Sequence, residues 1–204
     1  MIVISELDKL ISVFNQHRYI TGYDAIQEMK INDGQWRQME WIGWYYEHLA
    51  NACVKRNAEP FLSSNGNKVY IDYIVDGVLT DLKVHNTLAK NHTIYLNDYT
   101  ALESCIKHKG QCNFLVILGE SKMDEDGAFV KWHNDLIGKP TNPKGRKRKI
   151  DFHIRGYTLL PIDRKNFDRL LCLKQGKNSN GKPRPPKAGV NLNKMNLQNV
   201  VMWR

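Results

Sequence analysis

The sequence contains no run of about 18 apolar residues, and its apolar first stretch, Met1 to Ile20, is interrupted by Glu6, Asp8 and Lys9. Neither a membrane-spanning helix nor a secretory leader is expected, so the chain reads as intracellular and cytoplasmic, with no membrane partner. Cysteine is sparse: Cys53, Cys105, Cys112 and Cys172 lie far apart, without the two-residue spacing of a zinc knuckle or a dithiol redox motif. They are expected to be free thiols in the core. Histidines do not form a dense cluster either. His85-Asn86, His92 and Trp132-His133-Asn134 are what a histidine-based metal site would have to use, and their spacing does not form a compact ββα unit. No internal repeat is present.

What the chain does have is enough apolar material for a core: 42% of 204 residues, the size of one ordinary domain with a smaller appendage. Its net charge of +9 is segregated: from Lys144 onward there are sixteen Lys/Arg and three acids, a local +13, whereas residues 1–143 carry a local −4. The expected organisation is therefore a helical N-terminus plus core over 1–143 and a basic segment over 144–204 packed on the same domain. A polyanion is the simplest partner for such a surface, because each neutralised phosphate releases counterions whatever the sequence. The alternatives are a solvated basic tail or a membrane-surface patch. Pro and Gly within the basic segment, and the lack of a sustained amphipathic period, count against the membrane patch.

The first thirty residues read as helical, with Leu7, Leu10, Ile11 and Phe14 on one stripe. Asp33-Gly34 punctuates the chain, and a longer helix is expected from about Gln35 to Arg56. After the turn-rich residues 60–67, KVYIDYIVDGVLTDLKVHN changes to strand alternation around Asp76-Gly77, a dipeptide suited to a type I′ hairpin turn. Thr93 to Asp98 reads as a short strand, with Asn97 or Asp98 capping a helix to about Lys107. Asn113 to Ser121 reads as a buried strand. Further strands are expected at Gly127 to His133 and near Tyr157 to Leu160, the latter in an otherwise loop-rich basic third. The fold class is mixed α/β, with a central mixed sheet flanked by helices.

With Asp76-Gly77 at the turn, Val75 faces Val78, Asp72 stands opposite Asp81, and Tyr70 stands opposite Lys83. Val69, Ile71, Tyr73, Val75, Val78, Thr80, Leu82 and Val84 then share a nearly apolar face, while Tyr70, Asp72, Ile74, Leu79, Asp81 and Lys83 share the other. Two opposed carboxylates repel, and a hard divalent cation relieves that repulsion; Mg²⁺ takes one or two carboxylates and keeps room for a phosphate oxygen. Lys83 points the same way, where an ammonium orients or helps to deprotonate an attacking water. The competing reading is a structural hairpin with a surface Asp-Lys pair.

Asp72 followed by Asp81-Leu82-Lys83 resembles the signature of the PD-(D/E)xK nucleases, a superfamily that includes many type II restriction endonucleases and several DNA-repair nucleases. Ile71 stands where the proline of the motif's name would be. The resemblance covers about Gln35 to Ser121 and implies a restriction-endonuclease-like core in the order helix, hairpin, helix, strand. It also implies a catalytic set of Asp72, Asp81 and Lys83, with Asp72, Asp81 and Leu82 as the metal positions. Members of the family often add an acid from the preceding helix; Glu47 is the candidate here, Glu40 being read as a surface acid.

Two basic runs are candidate DNA contacts. Arg146, Lys147, Arg148 and Lys149 form the first, and Lys177, Asn178, Asn180, Lys182 and Arg184 the second, with Ser179 alongside. Simple solvation is the alternative for both. The resulting expectation is a Mg²⁺-dependent endonuclease acting on double-stranded DNA, a homodimeric type II restriction enzyme above all. A repair, junction-resolving or toxin nuclease with the same site is the first alternative. The second is a nucleic-acid-binding protein without catalysis.

Overall fold

The computed structural model describes residues 4–63, 65–90, 92–142, 145–178 and 180–191, together with the backbone of 201–203. In chain order its elements are α1 (Glu6–Gln16), β1 (Tyr19–Thr21), α2 (Gly22–Ile31), α3 (Trp41–Ala50), β2 (Lys55–Arg56), β3 (Pro60–Leu62), β4 (Lys68–Tyr70), β5 (Tyr73–Val75), β6 (Val78–Asn86), β7 (Thr93–Asp98), α4 (Tyr99–Lys109), β8 (Gln111–Glu120), α5 (Ala128–Ile137), β9 (Asp151–Asp163), β10 (Leu171–Leu173), β11 (Lys187–Asn191) and β12 (Val201–Trp203). The fold is mixed α/β. Its largest sheet has the strand order β1-β9-β8-β6-β5-β2, with β12 also pairing with β9; β10-β11-β7 and β3-β4 form smaller sheets. None of the described helices is long and apolar enough to cross a membrane.

The chain divides into two compact units that interleave along the sequence. The first comprises residues 1–54, 86–88 and 117–156, and the second 55–85, 89–116 and 157–204. In the first unit, α1 buries Leu10, Ile11 and Phe14, α2 buries Ala25, Ile26 and Met29, and α3 buries Trp41, Ile42, Tyr45, Tyr46, Leu49 and Ala50. Phe14 and Phe152 meet Tyr46 edge-on, with ring centroids 5.3 and 5.8 Å apart. Burying these amphipathic rings requires partners for their polar tips. The Trp41 indole donates to the Lys149 carbonyl at 2.9 Å, and the Tyr46 hydroxyl to the His17 carbonyl at 3.1 Å. Tyr45 donates its hydroxyl proton to Glu28 at 2.8 Å, so its oxygen accepts from His17 Nδ1–H, also at 2.8 Å. Burial and the Glu28 carboxylate push the Tyr45 phenol well above its ordinary pKa.

Outside the hairpin, the structure departs from the sequence expectations in four places. The first thirty residues are not one helical stretch: Tyr19–Thr21 pairs with β9, and Thr21 then caps α2 by accepting from Asp24 N at 3.2 Å. The Gln35 to Arg56 helix contracts to Trp41–Ala50, because the chain is still turning at Asp33-Gly34, where Asp33 takes a positive φ of 53°, and Lys55–Arg56 leaves to pair with β5. Gly127 to His133 is not a strand but the start of α5. Phe129 and His133, four apart, are its buried residues; the Asp124 carboxylate accepts from Phe129 N and Val130 N, and Gly138 ends the helix at φ 72°. The strand expected at Tyr157 to Leu160 runs for thirteen residues, and the basic third supplies β10, β11 and β12 as well.

In the second unit the hairpin register is as expected where it pairs: Val75↔Val78, Ile74↔Leu79 and Tyr73↔Thr80, with Asp76 and Gly77 at φ 47° and 78°. Thr93–Asp98 is a strand, Asp98 caps α4 by accepting from Ala101 N, and β8 is buried over Cys112 to Ile117. All four cysteines are free thiols, but only Cys105 and Cys112 are in the core; Cys53 is half-buried, and Cys172 is exposed on the edge strand β10.

Two predictions follow from the first unit's packing. A Cβ at Gly119 would stand 2.3 Å from the Phe152 ring and 2.6 Å from the His153 carbonyl, a backbone atom that cannot rotate away. Gly119→Ala should therefore cost about 1–3 kcal/mol in urea unfolding. His133, fully buried, donates from Nε2 to the Trp36 carbonyl at 2.8 Å, and burial holds its pKa below the ordinary 6.5. The folded state thus favours neutral His133. The stability this contributes is present above pH 6.5 and is lost as pH falls toward the depressed folded-state value. Urea midpoints compared between pH 7 and pH 5 should fall further for the wild type than for His133→Gln; equal falls would refute this role.

Candidate active site

Asp81 lies at the middle of β6 and is 1% exposed, between the equally buried Thr80 and Leu82. A carboxylate at that depth must be compensated. Lys83, two residues on and with a side chain 23% exposed, forms an ion pair with Asp81 Oδ2. Asp81 Oδ1 accepts from Asn97 Nδ2 at 3.0 Å, and Asn97 Oδ1 accepts from the Lys83 ammonium at 2.9 Å. The three side chains form a closed ring of contacts. Asn97 comes from β7 and is itself buried, with its amide also directed at the Tyr70 carbonyl at 3.5 Å.

Asp72 joins this group from outside the ladder. A continuous strand through Lys68–Val75 is the sequence expectation, yet β4 ends at Tyr70 and β5 begins at Tyr73. The half-buried Asp72 takes a hydrogen bond from Leu82 N to its Oδ2 at 2.9 Å, and its own carbonyl accepts from Asn57 N at 2.9 Å. A side chain thus occupies a β6 donor that a strand backbone would otherwise use, and β4 turns away to pair with β3. The Asp72 carboxylate consequently abuts the peptide that joins Asp81 to Leu82.

Asp72, Asp81, Leu82 and Lys83 are thus brought together in the second unit. Two carboxylates and adjacent backbone carbonyls are hard oxygen donors, the class that Mg²⁺ prefers, so the donor chemistry fits that ion. Among the described residues no group of three or more His, Cys, Asp or Glu side chains is assembled as a ligand set. Glu47 is half-buried on α3 of the first unit. Glu40 is not on the helix at all; it is the non-helical residue preceding α3, exposed, and it pairs with Arg146 at 3.6 Å and Arg148 at 2.5 Å.

The first basic run is held in place in the first unit. Lys147 pairs with Glu125, the Arg148 carbonyl accepts from Asp124 N at 2.7 Å, and Lys149 makes a bridge with Met123. Lys149 is half-buried, and that burial lowers its pKa. The second run closes on itself: Asn178 N donates to the Lys182 carbonyl at 2.8 Å, Arg184 N to the Gly176 carbonyl at 3.0 Å, and Arg184 Nε to Asn178 Oδ1 at 2.9 Å. Lys177, Asn178, Asn180, Lys182 and Arg184 are all exposed on this turn, while Ser179 lies outside the described residues. The turn precedes β11, whose first residue, Lys187, stands opposite Asp98.

Asn97 and Lys187 are the residues that the sequence reading did not place in the site. Asn97 was visible only as a possible helix cap, a role that Asp98 takes; no local pattern marks which distant strand will lie over the Asp81 carboxylate. Compared with known proteins, the chain matches no family model, no curated protein and no solved structure.

Removing one partner from a buried charge pair leaves the other uncompensated. Lys83→Ala should therefore lower unfolding stability by about 2–3 kcal/mol, somewhat less than for a fully buried pair because the lysine is partly exposed. A loss below about 0.5 kcal/mol in denaturant titrations would instead mark the pair as equivalent to a surface one.

Proposed function

We propose that the chain is a metal-dependent nuclease that hydrolyses phosphodiester bonds, with Asp72, Asp81 and Lys83 at its active site. The observation that carries this reading is the gathering of two carboxylates, from a strand break and from a strand interior, around one peptide, with a lysine ammonium against the deeper of them. A protein gains little stability from burying such a group, since well-packed apolar residues serve as well or better. Buried, closely coupled ionisable groups are commonest where chemistry is done.

In this reading Asp72 and Asp81 would hold Mg²⁺. The chemistry that such an ion supplies is polarisation of the phosphoryl oxygens and neutralisation of charge on the leaving oxygen. Lys83, as an ammonium, would orient the attacking water and favour loss of its proton to solvent, and Asn97 holds that ammonium and the Asp81 carboxylate in one arrangement. The water oxygen bonds to phosphorus as its proton passes to solvent, and the bond to the 3′ oxygen breaks as that oxygen takes a proton from solvent, leaving 5′-phosphate and 3′-hydroxyl ends. The exposed turn carrying Lys177, Lys182 and Arg184 follows the duplex backbone. Arg146, Lys147 and Arg148 exchange their weak, exposed pairings with Glu40 and Glu125 for phosphates. The resemblance to the PD-(D/E)xK nucleases favours a restriction-endonuclease-like core and a type II restriction enzyme acting as a homodimer on double-stranded DNA.

Incubation with plasmid DNA should yield discrete fragments with Mg²⁺ and none with chelator. Lys83→Ala should reduce the cleavage rate by about 10²–10⁴-fold, with DNA affinity retained. Cleavage of branched substrates alone would move the assignment to repair or junction resolution. Binding that ignores Asp81→Ala and divalent ions, with no cleavage of any substrate, would leave a nucleic-acid-binding protein.

A further inference from the structure

Lys187 is 104 positions beyond Lys83 in the numbering, yet it lies near enough for the Lys83 and Asp81 charges to act on it. β11 places it directly opposite Asp98, the residue after Asn97, and the adjoining Tyr99 N donates to the Pro186 carbonyl at 2.9 Å. Lys187 is half-buried. Its side chain makes no hydrogen bond or ion pair with any described residue, whereas Lys83 is engaged with Asp81 and Asn97. Burial lowers its pKa, the neighbouring Lys83 charge lowers it further, and the Asp98 and Asp81 carboxylates oppose the shift. Asp98 is 1% exposed; its Oδ1 caps α4, while its buried Oδ2 accepts no hydrogen bond from any described residue.

An ammonium withdrawn from water, beside another ammonium and with no contacting counter-ion among the described residues, gains most from an anion that it can touch.

We propose that Lys187 is the phosphate-binding residue of the site, its ammonium donating to a non-bridging oxygen of the phosphodiester presented to Asp81 and Lys83. This rests on the nuclease reading for its substrate. It assigns the basic third of the chain a part in the site itself, beyond holding the duplex from outside.

The test uses the full chain with Lys187→Gln and the charge-preserving Lys187→Arg; Lys187→Met, of similar volume, replaces the Gln variant if that fails to fold. Cleavage of plasmid DNA with Mg²⁺ is measured beside binding of mixed-sequence duplex across a salt series and calorimetric titration with inorganic phosphate. Loss of about tenfold or more in kcat/KM in Lys187→Gln, partial retention in Lys187→Arg, and a salt slope shallower by about 0.9 would support the proposal. A lysine that only balances Asp98 would change stability and leave the salt slope and phosphate titration as they are. If the wild type cleaves and Lys187→Gln stays within about twofold with the same slope, the proposal falls and the nuclease reading stands. If the wild type cleaves nothing but Lys187→Gln still loses phosphate and duplex binding, the anion site stands and the nuclease reading falls. If neither cleavage nor a Lys187-dependent binding difference is seen, both fall.

Discussion

The second unit is organised around a carboxylate that has to be kept out of water. Asp81 sits where β6 is buried at three consecutive residues, so neither face of the strand offers it solvent. Its compensation comes from its own strand through Lys83 and from β7 through Asn97, and Asn97 also directs its amide at the Tyr70 carbonyl. Asp72 then takes the Leu82 N–H. These contacts tie the end of β4, the strand break, the centre of β6 and the end of β7 into one polar network. Such a network is costly if any member is missing, because each remaining group would be left desolvated without a partner.

The first unit meets a comparable demand in a different way. Its core is rich in aromatic residues whose polar tips are taken up by neighbours: Tyr45 by Glu28 and His17, Tyr46 by the His17 carbonyl, and Trp41 by the Lys149 carbonyl. The last of these contacts anchors the end of the basic run to α3. The cations at 146–149 are therefore mounted on an ordered backbone, and Arg146, Lys147 and Arg148 rest against exposed acids. Pairs of this kind contribute little to stability and are readily exchanged for a polyanion. Lys177, Asn178, Asn180, Lys182 and Arg184 are arranged differently, exposed on a self-bonded turn.

Several elements were legible because their determinants are local. Asp76-Gly77 sets the hairpin register through two positive φ angles, and the apolar run in β8 marks a strand buried on both faces. Asp98 announces α4 by its position before a helical period. The errors also have local causes. Alternation of Phe129, Lys131 and His133 imitates a strand, but Phe129 and His133 also fit a helical period, and the Asp124 cap and Gly138 stop decide in favour of α5. Glu40 and Glu47 are seven apart and would share a helix face, except that α3 begins only after Glu40.

The sequence by itself determined the mixed α/β class, the hairpin, and the nearness of Asp81 to Lys83, because these depend on periods of two and 3.6 residues and on turn residues that act within a few positions. It also determined that one end of the chain is strongly cationic. Tertiary structure alone decided that Asp72 would leave the ladder to bond Leu82 N, that Asn97 would close the ring on Asp81 and Lys83, and that Lys187 would stand opposite Asp98. The physical reason is that a buried charge recruits whatever donor the packing brings within hydrogen-bonding distance. That donor is selected by the pairing of strands far apart in sequence, which no local pattern records.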